Sequence, residues 1–364
     1  MVFGGDSKTM DLITIFETIQ QAQENLYAHY IELKNSGKKI IFTQCDIVPY
    51  EVLFAHDLVV SKLPQWVITA LQVPYTLKYA QAIEYVRLAD AIIVPQYCTI
   101  LPNELMHQLP IYIIPKYEGF AEDAALNIHT ILYSLLQNFG IKQEYPDEDK
   151  LRNTVIVYEE IRKIMRTLTS MYADEFTTGQ LQLLCDVSFS LIPQQSVQLL
   201  GQLNKVIQSS QHSIQASGNK ALVYADFDNW TLCDVCKEYN ISVVEDDCCN
   251  GRRQFDISCN ISAQNMYYEL LYAYSFKSWC PGMRNCKERV ELIYKALPNY
   301  DIKIVLLIQS FLTSRNAHMQ SIYEHCLLQG TDAIIINPEK AHQQLNVYST
   351  LLNKRPNYTI QVDF

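Results

Sequence analysis

The stretch KIIFTQCDIVPYEVLFAHDLVV, residues 39–60, decides the fold class of this 364-residue chain. It begins with KIIFTQ, a run of buried-type residues that predicts a β-strand, and continues through Pro49 into PYEVLFAHDLVV, whose spacing predicts a helix. Two further apolar runs, ADAIIVPQYC at 89–98 and LPIYIIPKY at 109–117, predict the next strands. Strands that alternate with helices are typical of a mostly parallel sheet that is covered on both faces.

A second set of strands is predicted towards the C-terminus. Its members are ALVYADF, ISVVEDD, IKIVLLIQ, DAIIINP and YTIQVDF, at residues 221–227, 241–247, 302–309, 332–338 and 358–364. Between the two sets, residues 147–210 show helical spacing and no strand alternation. We therefore expect an N-terminal α/β domain at 1–146, a helical connector at 147–215 and a C-terminal α/β domain at 216–364, a division that suits the length of the chain.

The composition excludes several classes of protein. Hydrophobic residues make up 49% of the chain and charged residues 19%, which is typical of a folded globular protein. The formal charge of −10 argues against a general nucleic-acid binder, which needs clustered Lys and Arg to neutralise phosphates. No apolar run approaches the ~20 residues that span a bilayer, and the N-terminus lacks a basic region followed by an apolar one. We expect a cytoplasmic protein with no membrane or nucleic-acid partner.

Cysteines follow the predicted strands at several points. The chain has eleven cysteines, an odd number without a secretion signal, so a disulfide framework is not expected. Ligands of open α/β sheets bind at the carboxyl ends of the strands. Cys45, Cys98 and Cys249 each lie in a loop of this kind, although a free cysteine is more often a small buried hydrophobic residue than a ligand.

The loop after the strand at 241–247 has the most unusual composition. It reads VVEDDCCNGRRQFD, residues 243–256, and Gly251 permits a tight turn. In one interpretation, Asp246, Asp247, Arg252 and Arg253 line a cleft and bind an anionic substrate. In the other, the acids cap the following helix and the arginines pair with them on the surface.

Four motifs in the same order resemble one family, the D-component of 2-hydroxyacyl-CoA dehydratases, to which benzoyl-CoA reductase subunits are related. They are VPYEVLFAHDLVVSKLP (48–64), ADAIIVPQYCT (89–99), VVEDDCCNGRRQFD (243–256) and CPGMRNCKERVELI (280–293). The helical stretch EDKLRNTVIVYEEIRKIMRTL stands where the family has its connector helices. The resemblance covers most of the chain.

This resemblance implies two flavodoxin-like (Rossmann-like) domains with an iron–sulfur cluster between them, in a subunit that works as a dimer. Members accept an electron from a separate ATP-driven activator and remove water from a 2-hydroxyacyl thioester by radical chemistry. Cluster iron is held by the soft thiolates of cysteine. The chain must therefore supply cysteines at the family's cluster positions.

The chain supplies a cysteine at only one of the family's three cluster positions. The first carries Val73 before Pro74, the second carries Cys98, and the third carries Leu312 followed by Thr313. Val and Leu cannot donate to iron, so the family's standard cluster is not expected. The alternative is a substitute site in which Cys45, Cys98 and Cys249 converge.

Glu51 matches the glutamate of the family's Pro-x-Glu segment. A carboxylate at this point can act as acid or base if burial moves its pKa towards neutrality. It can equally be a first-turn glutamate that stabilises the N-terminus of a helix.

Two functions remain open at this point. The chain is either a repurposed or non-catalytic homologue, which binds a small ligand such as an acyl thioester in the interdomain cleft or acts as a partner subunit, or an active dehydratase-like lyase with an atypical iron–sulfur site. In both cases we expect a dimer with an identical or a related subunit. The lost cysteines favour the first function. The loop at residues 243–256, called the acidic turn below, and Glu51 favour the second.

Overall fold

The computed structural model describes residues 11–96, 101–115, 121–171, 176–209, 219–225, 230–248, 251–276, 286–308, 313–337, 340–354 and 361–362. Within these ranges the strands form two separate sheets, and every strand pair is parallel. This confirms the predicted α/β fold class.

The first sheet has the strand order β2-β1-β3-β4. Its strands are β1 (Ile40–Thr43), β2 (Val59–Lys62), β3 (Ala91–Pro95) and β4 (Ile111–Ile114). β2 was not predicted, because the apolar residues of 49–60 suggested a single helix. The helix α3 ends at Ala55, Asp57 takes a left-handed backbone with φ of 64°, and the chain then extends into β2 beside β1.

The second sheet has the strand order β6-β5-β7-β8-β9. Its strands are β5 (Asn219–Tyr224), β6 (Ile241–Asp247), β7 (Ile304–Ile308), β8 (Asp332–Ile336) and β9 (Gln361–Val362). All five were predicted. When the strands of each sheet are numbered from its own first strand, this order is 2-1-3-4-5, the flavodoxin-like order, and the first sheet follows it as far as its fourth strand.

The helices in the described part of the chain surround these sheets. They are α1 (Leu12–Glu24), α2 (Leu26–Asn35), α3 (Tyr50–Ala55), α4 (Gln65–Leu71), α5 (Leu77–Val86), α6 (Asn103–Met106), α7 (Ala121–Asn138), α8 (Glu148–Met171), α9 (Thr178–Ser190), α10 (Pro193–Ser209), α11 (Trp230–Glu238), α12 (Met266–Phe276), α13 (Cys286–Asn299), α14 (Thr313–Leu328) and α15 (Ala341–Lys354). No described helix is long and apolar enough to cross a membrane.

Side chains of the second sheet alternate between two cores. In β5, Ala221 and Val223 belong to a large core that also contains the first sheet, whereas Leu222 and Tyr224 belong to a smaller core beneath α13 and α14. This division follows from the period of two in a strand, which sends successive side chains to opposite faces. The larger core is continuous between the two sheets.

The 24-residue helix α8 lies between the two sheets. It contacts α3 of the N-terminal part, and it also contacts α12, β6 and a short 3-10 helix at Arg252–Phe255 in the C-terminal part. α8, α9 and α10 pack on one another, which agrees with the helical pattern predicted between the sheets. The side chains that α8 carries are therefore placed to join the two halves.

Candidate functional site

Glu51 lies in the first turn of α3, and its side chain is completely buried. Its Oε1 accepts a hydrogen bond from Nη2 of Arg162 in α8 at 2.5 Å. Its Oε2 accepts one from the hydroxyl of Tyr274 in α12 at 3.1 Å. The same Nη2 donates to the Tyr274 hydroxyl at 2.9 Å, which closes the triangle. One carboxylate thus joins three helices from different parts of the chain.

The charge on Arg162 is maintained by its neighbours. Burial by itself lowers the pKa of this guanidinium, but Glu51, Tyr274, Asp46 and Glu159 together hold it well above its usual value. Burial, followed by the charge of Glu51, raises the pKa of Tyr274 well above its usual value, so the hydroxyl keeps its proton and remains a donor. Both oxygens of the Glu51 carboxylate are therefore engaged by donors from other helices.

Aromatic rings pack around the buried group formed by Glu51, Arg162 and Tyr274. The guanidinium carbon of Arg162 lies 5.8 Å from the ring centroids of both Tyr158 and Tyr274. Tyr158 stacks on Phe189 with centroids 6.5 Å apart, and Phe189 stacks in turn on Phe255 at 5.5 Å. Because Phe255 belongs to the 3-10 helix, the aromatic stack connects Glu51 to the acidic turn.

In that turn, Asp246 caps the 3-10 helix. Its two carboxylate oxygens accept the backbone N–H of Arg252 at 3.2 and 3.1 Å, and Oδ1 also accepts the N–H of Cys248 at 3.2 Å. Burial raises the pKa of Asp246, although Arg252 and these N–H groups oppose that effect. The side chain therefore organises the turn from within.

A glycine is needed at position 251 because the Asp246 carboxylate lies against its Cα, and not because the backbone is left-handed there. Its φ is −92°, which any residue can adopt. A Cβ at this position would lie 1.6 Å from Oδ1 of Asp246. The carboxylate occupies the space that any other side chain would require.

The two arginines of the turn are buried, with about 5% of each residue exposed. Arg253 pairs with Asp247 at 2.8 Å and donates to the carbonyl oxygen of Cys248 at 2.6 Å. Arg252 lies 3.9 Å from the Asp246 carboxylate and donates through Nη2 to the carbonyl oxygen of Thr169 in α8. The acids and arginines thus contact one another and the protein interior.

Other basic side chains bind the turn to α8 and to the first sheet. Arg166 of α8 donates to the carbonyl oxygens of Phe255 and Ile257 at 2.6 and 3.1 Å. Lys62, buried at the end of β2, donates to Oε1 of Gln254. The turn is held by α8 on one side and by the first sheet on the other.

A small cavity of about 200 Å³ borders the outer side of the turn. Glu245, Asp247, Arg253, Asp256 and Tyr300 are among the residues that line it. Burial raises the pKa of Glu245 to about 7, and the Asp246 charge adds to this effect while Arg252 opposes it. The charge of Glu245 is in turn the main cause that raises the pKa of Tyr300. The cavity therefore contains a carboxyl group that titrates near neutral pH.

The predicted cysteine site is described only in part. Cys45 is half-buried in the loop after β1, whereas Cys98 and Cys249 lie outside the described residues. No group of three or more His, Cys, Asp or Glu side chains within the described ranges is arranged to hold a metal ion.

Two of the three positions at which the resemblance implies cluster cysteines carry other residues. Val73 follows α4 with 54% of its surface exposed. Thr313 opens α14, and Leu312 lies outside the described residues. A valine side chain offers no donor atom to iron.

These features define a class of protein: two parallel sheets of flavodoxin-like order, locked together by a central helix. Residues 141–310 match the family model of the 2-hydroxyglutaryl-CoA dehydratase D-component. This segment, which contains α8, the turn after β6 and Tyr274, is similar to that family. No curated protein matches the chain.

Sequence reasoning missed Arg162, the partner of Glu51. A signal was present, because Arg162 lies four residues after Tyr158 and three before Met165, on the apolar face of α8. A basic residue on a buried helix face requires a carboxylate nearby. Tyr274, the third member, lies within a tyrosine-rich helix and carries no comparable signal.

Replacing Glu51 by Gln is expected to cost about 3 kcal/mol of unfolding free energy, because it removes one of the two carboxylates that pair with the buried Arg162 and leaves only Glu159, at 2.8 Å. The double variant Glu51→Gln/Arg162→Met removes both charges, so it should be more stable than Glu51→Gln alone. Urea unfolding measures each value. Glu160→Gln, on the exposed face of α8, is the control and should stay within about 0.5 kcal/mol of the parent. An equal effect of Glu51→Gln and Glu160→Gln would contradict the central role of the ion pair.

Gly251→Ala is expected to destabilise the protein by about 1–3 kcal/mol, because the new methyl group displaces the Asp246 carboxylate from its capping position. Gly201→Ala in α10 is the matched control. There the nearest atom to a new Cβ is Cδ1 of Ile164 at 3.9 Å, so the change should stabilise the helix by up to about 1 kcal/mol. The unfolding temperatures of both variants test this prediction. Equal shifts for Gly251→Ala and Gly201→Ala would contradict the close contact between Gly251 and Asp246.

Glu245 should make the protein less stable as the pH rises from about 4.5 to 7. In this range the unfolded chain loses the Glu245 proton while the folded chain keeps it, since the folded pKa is about 7. The loss reaches about 3 kcal/mol at most and is complete above the folded pKa. Unfolding free energies at pH 5, 6 and 7.5 should show a flatter pH dependence in Glu245→Gln than in the parent. Glu291→Gln, on an exposed position of α13, should keep the parental slope.

Proposed function

We propose that this chain is a non-catalytic homologue of the dehydratase D-component, which has kept the fold and serves as a partner subunit with a small ligand in the interdomain cleft. The complete burial of Glu51 in contact with Arg162 and Tyr274 carries this proposal. The carboxylate that the resemblance offers as acid or base is engaged at both oxygens.

The acidic turn supports the same conclusion. Asp246 and Asp247 are used by the backbone and by the two arginines, so recognition of a thioester would have to break contacts that hold the two halves together. An acyl thioester remains the ligand class that the family suggests. Its contacts would come from other side chains at the carboxyl ends of the strands.

The proposal includes the division of the chain. Residues 1–146 and 216–364 would be the two α/β domains and residues 147–215 the connector, with α8 contacting both sides. Because members of this family work with partner components, the proposed assembly is a dimer with an identical or a related chain.

Purification without oxygen, followed by measurement of iron and acid-labile sulfide per chain, tests this function. We expect a colourless protein that stays free of iron after attempted reconstitution and that forms a dimer in light scattering, alone or with a co-expressed related subunit. About four irons with matching sulfide and a brown colour would overturn the proposal and restore the lyase, with Cys45, Cys98 and Cys249 as the candidate ligands. Single serine variants at these positions would then each lower the iron content.

A further inference from the structure

A larger cavity, of about 630 Å³, lies among the helices α1, α2, α4 and α5 beside the first sheet. It is bounded by the α1–α2 junction, the start of α4 and the second half of α5. Three aromatic rings and two carboxylates are among its lining residues: Tyr27, Trp66, Tyr85, Glu24 and Glu84. Its volume is within the range of sites for small molecules.

The aromatic rings form a corner around Tyr85. Tyr85 is nearly fully buried and stacks on Phe42 of β1, with centroids 5.4 Å apart, so the central strand of the sheet fixes its position. Trp66 meets Tyr85 edge to face at 5.6 Å, and Tyr27 lies at 6.1 Å on a tilted plane. Trp66 and Tyr27 keep 41% and 40% of their surfaces exposed. Ring surface is therefore available to a ligand.

The charged side chains among the described residues that line the cavity are both negative. They are the carboxylates of Glu24 and Glu84, and none of the described lining residues is Lys, Arg or His. Oε1 of Glu24 accepts from Gln20 at 2.9 Å, which orients this carboxylate. Gln23 donates to Asp186 at 3.0 Å and is likewise fixed in place. A phosphate or carboxylate ligand would meet repulsion here.

Aromatic faces and carboxylates together attract one chemical class. The π-electron face of Trp or Tyr binds a cation within about 6 Å, and Trp binds it best. A carboxylate adds charge attraction, and the apolar ring edges accommodate the methyl or methylene groups of an organic cation. A hydrated metal ion would gain little from the rings.

We propose that this cavity binds an alkylammonium ion, with Trp66 and Tyr27 against its hydrocarbon groups and Glu24 and Glu84 beside its positive charge. The site is separate from the acidic turn and from Glu51, and it does not depend on the function proposed above.

Isothermal titration with choline and with n-butylammonium tests the proposal, with 3,3-dimethylbutan-1-ol as the neutral analogue that has the shape of choline. At least one of the two cations should bind in a saturable manner, and choline at least ten times more tightly than the alcohol. Trp66 fluorescence should change in parallel, and Trp66→Phe should remove that change.

Glu84→Gln should weaken binding of the cation about tenfold, and Glu17→Gln, an exposed glutamate of α1 outside the cavity, should leave it unchanged. Both changes remove one negative charge, so their comparison separates a local site from general attraction to an acidic protein. The proposal fails if neither cation binds, if choline and the alcohol bind equally, or if the two glutamate variants weaken binding alike. Because Glu84 is exposed, its variant is expected to fold.

Discussion

The ion pair between Glu51 and Arg162 is the interaction on which the arrangement of the two sheets depends. Both side chains are fully buried, and a lone charge in such a place costs several kcal/mol. Arg162 also pairs with Glu159 of its own helix at 2.8 Å, but its pair with Glu51 forms only when α3 and α8 are docked. Tyr274 extends the same requirement to α12. The positions of three helices are thus coupled through one desolvated group of atoms.

The rest of α8 continues this role along its length. One turn after Arg162, Arg166 donates hydrogen bonds to the carbonyl oxygens of Phe255 and Ile257. Further along the helix, the carbonyl oxygen of Thr169 accepts a hydrogen bond from Arg252. These hydrogen bonds connect the helix to the turn after β6, whose own backbone is held by Asp246. A single helix thereby links the loop after β1 to the turn after β6, and both lie at carboxyl ends of strands, the edge at which open α/β sheets bind ligands.

Much of the fold was predictable, because a strand covered on both faces is apolar along its whole length. β5 to β9 and the long helix α8 follow from this pattern and from helical spacing. β2 does not, since Val59 and Val60 continue the apolar pattern of α3 and no Gly or Pro separates them from it. Residues 59–62 form a strand because they pair with β1, a contact between residues far apart in the sequence that local spacing does not reveal.

The acidic turn shows why a motif can be identified from sequence while its role cannot. Pairing of acids with arginines was one of the two interpretations, but spacing alone does not tell a surface pair from a buried one. The structure gives Asp246 a capping task, Gly251 a steric one and Arg252 a contact with α8. Each of these tasks is structural, and together they account for three residues of the motif without any substrate. Resemblance at this turn is therefore evidence for the fold and not for the reaction. Cluster chemistry depends on donor atoms such as thiolates. At the position of Val73 the side chain supplies no donor atom.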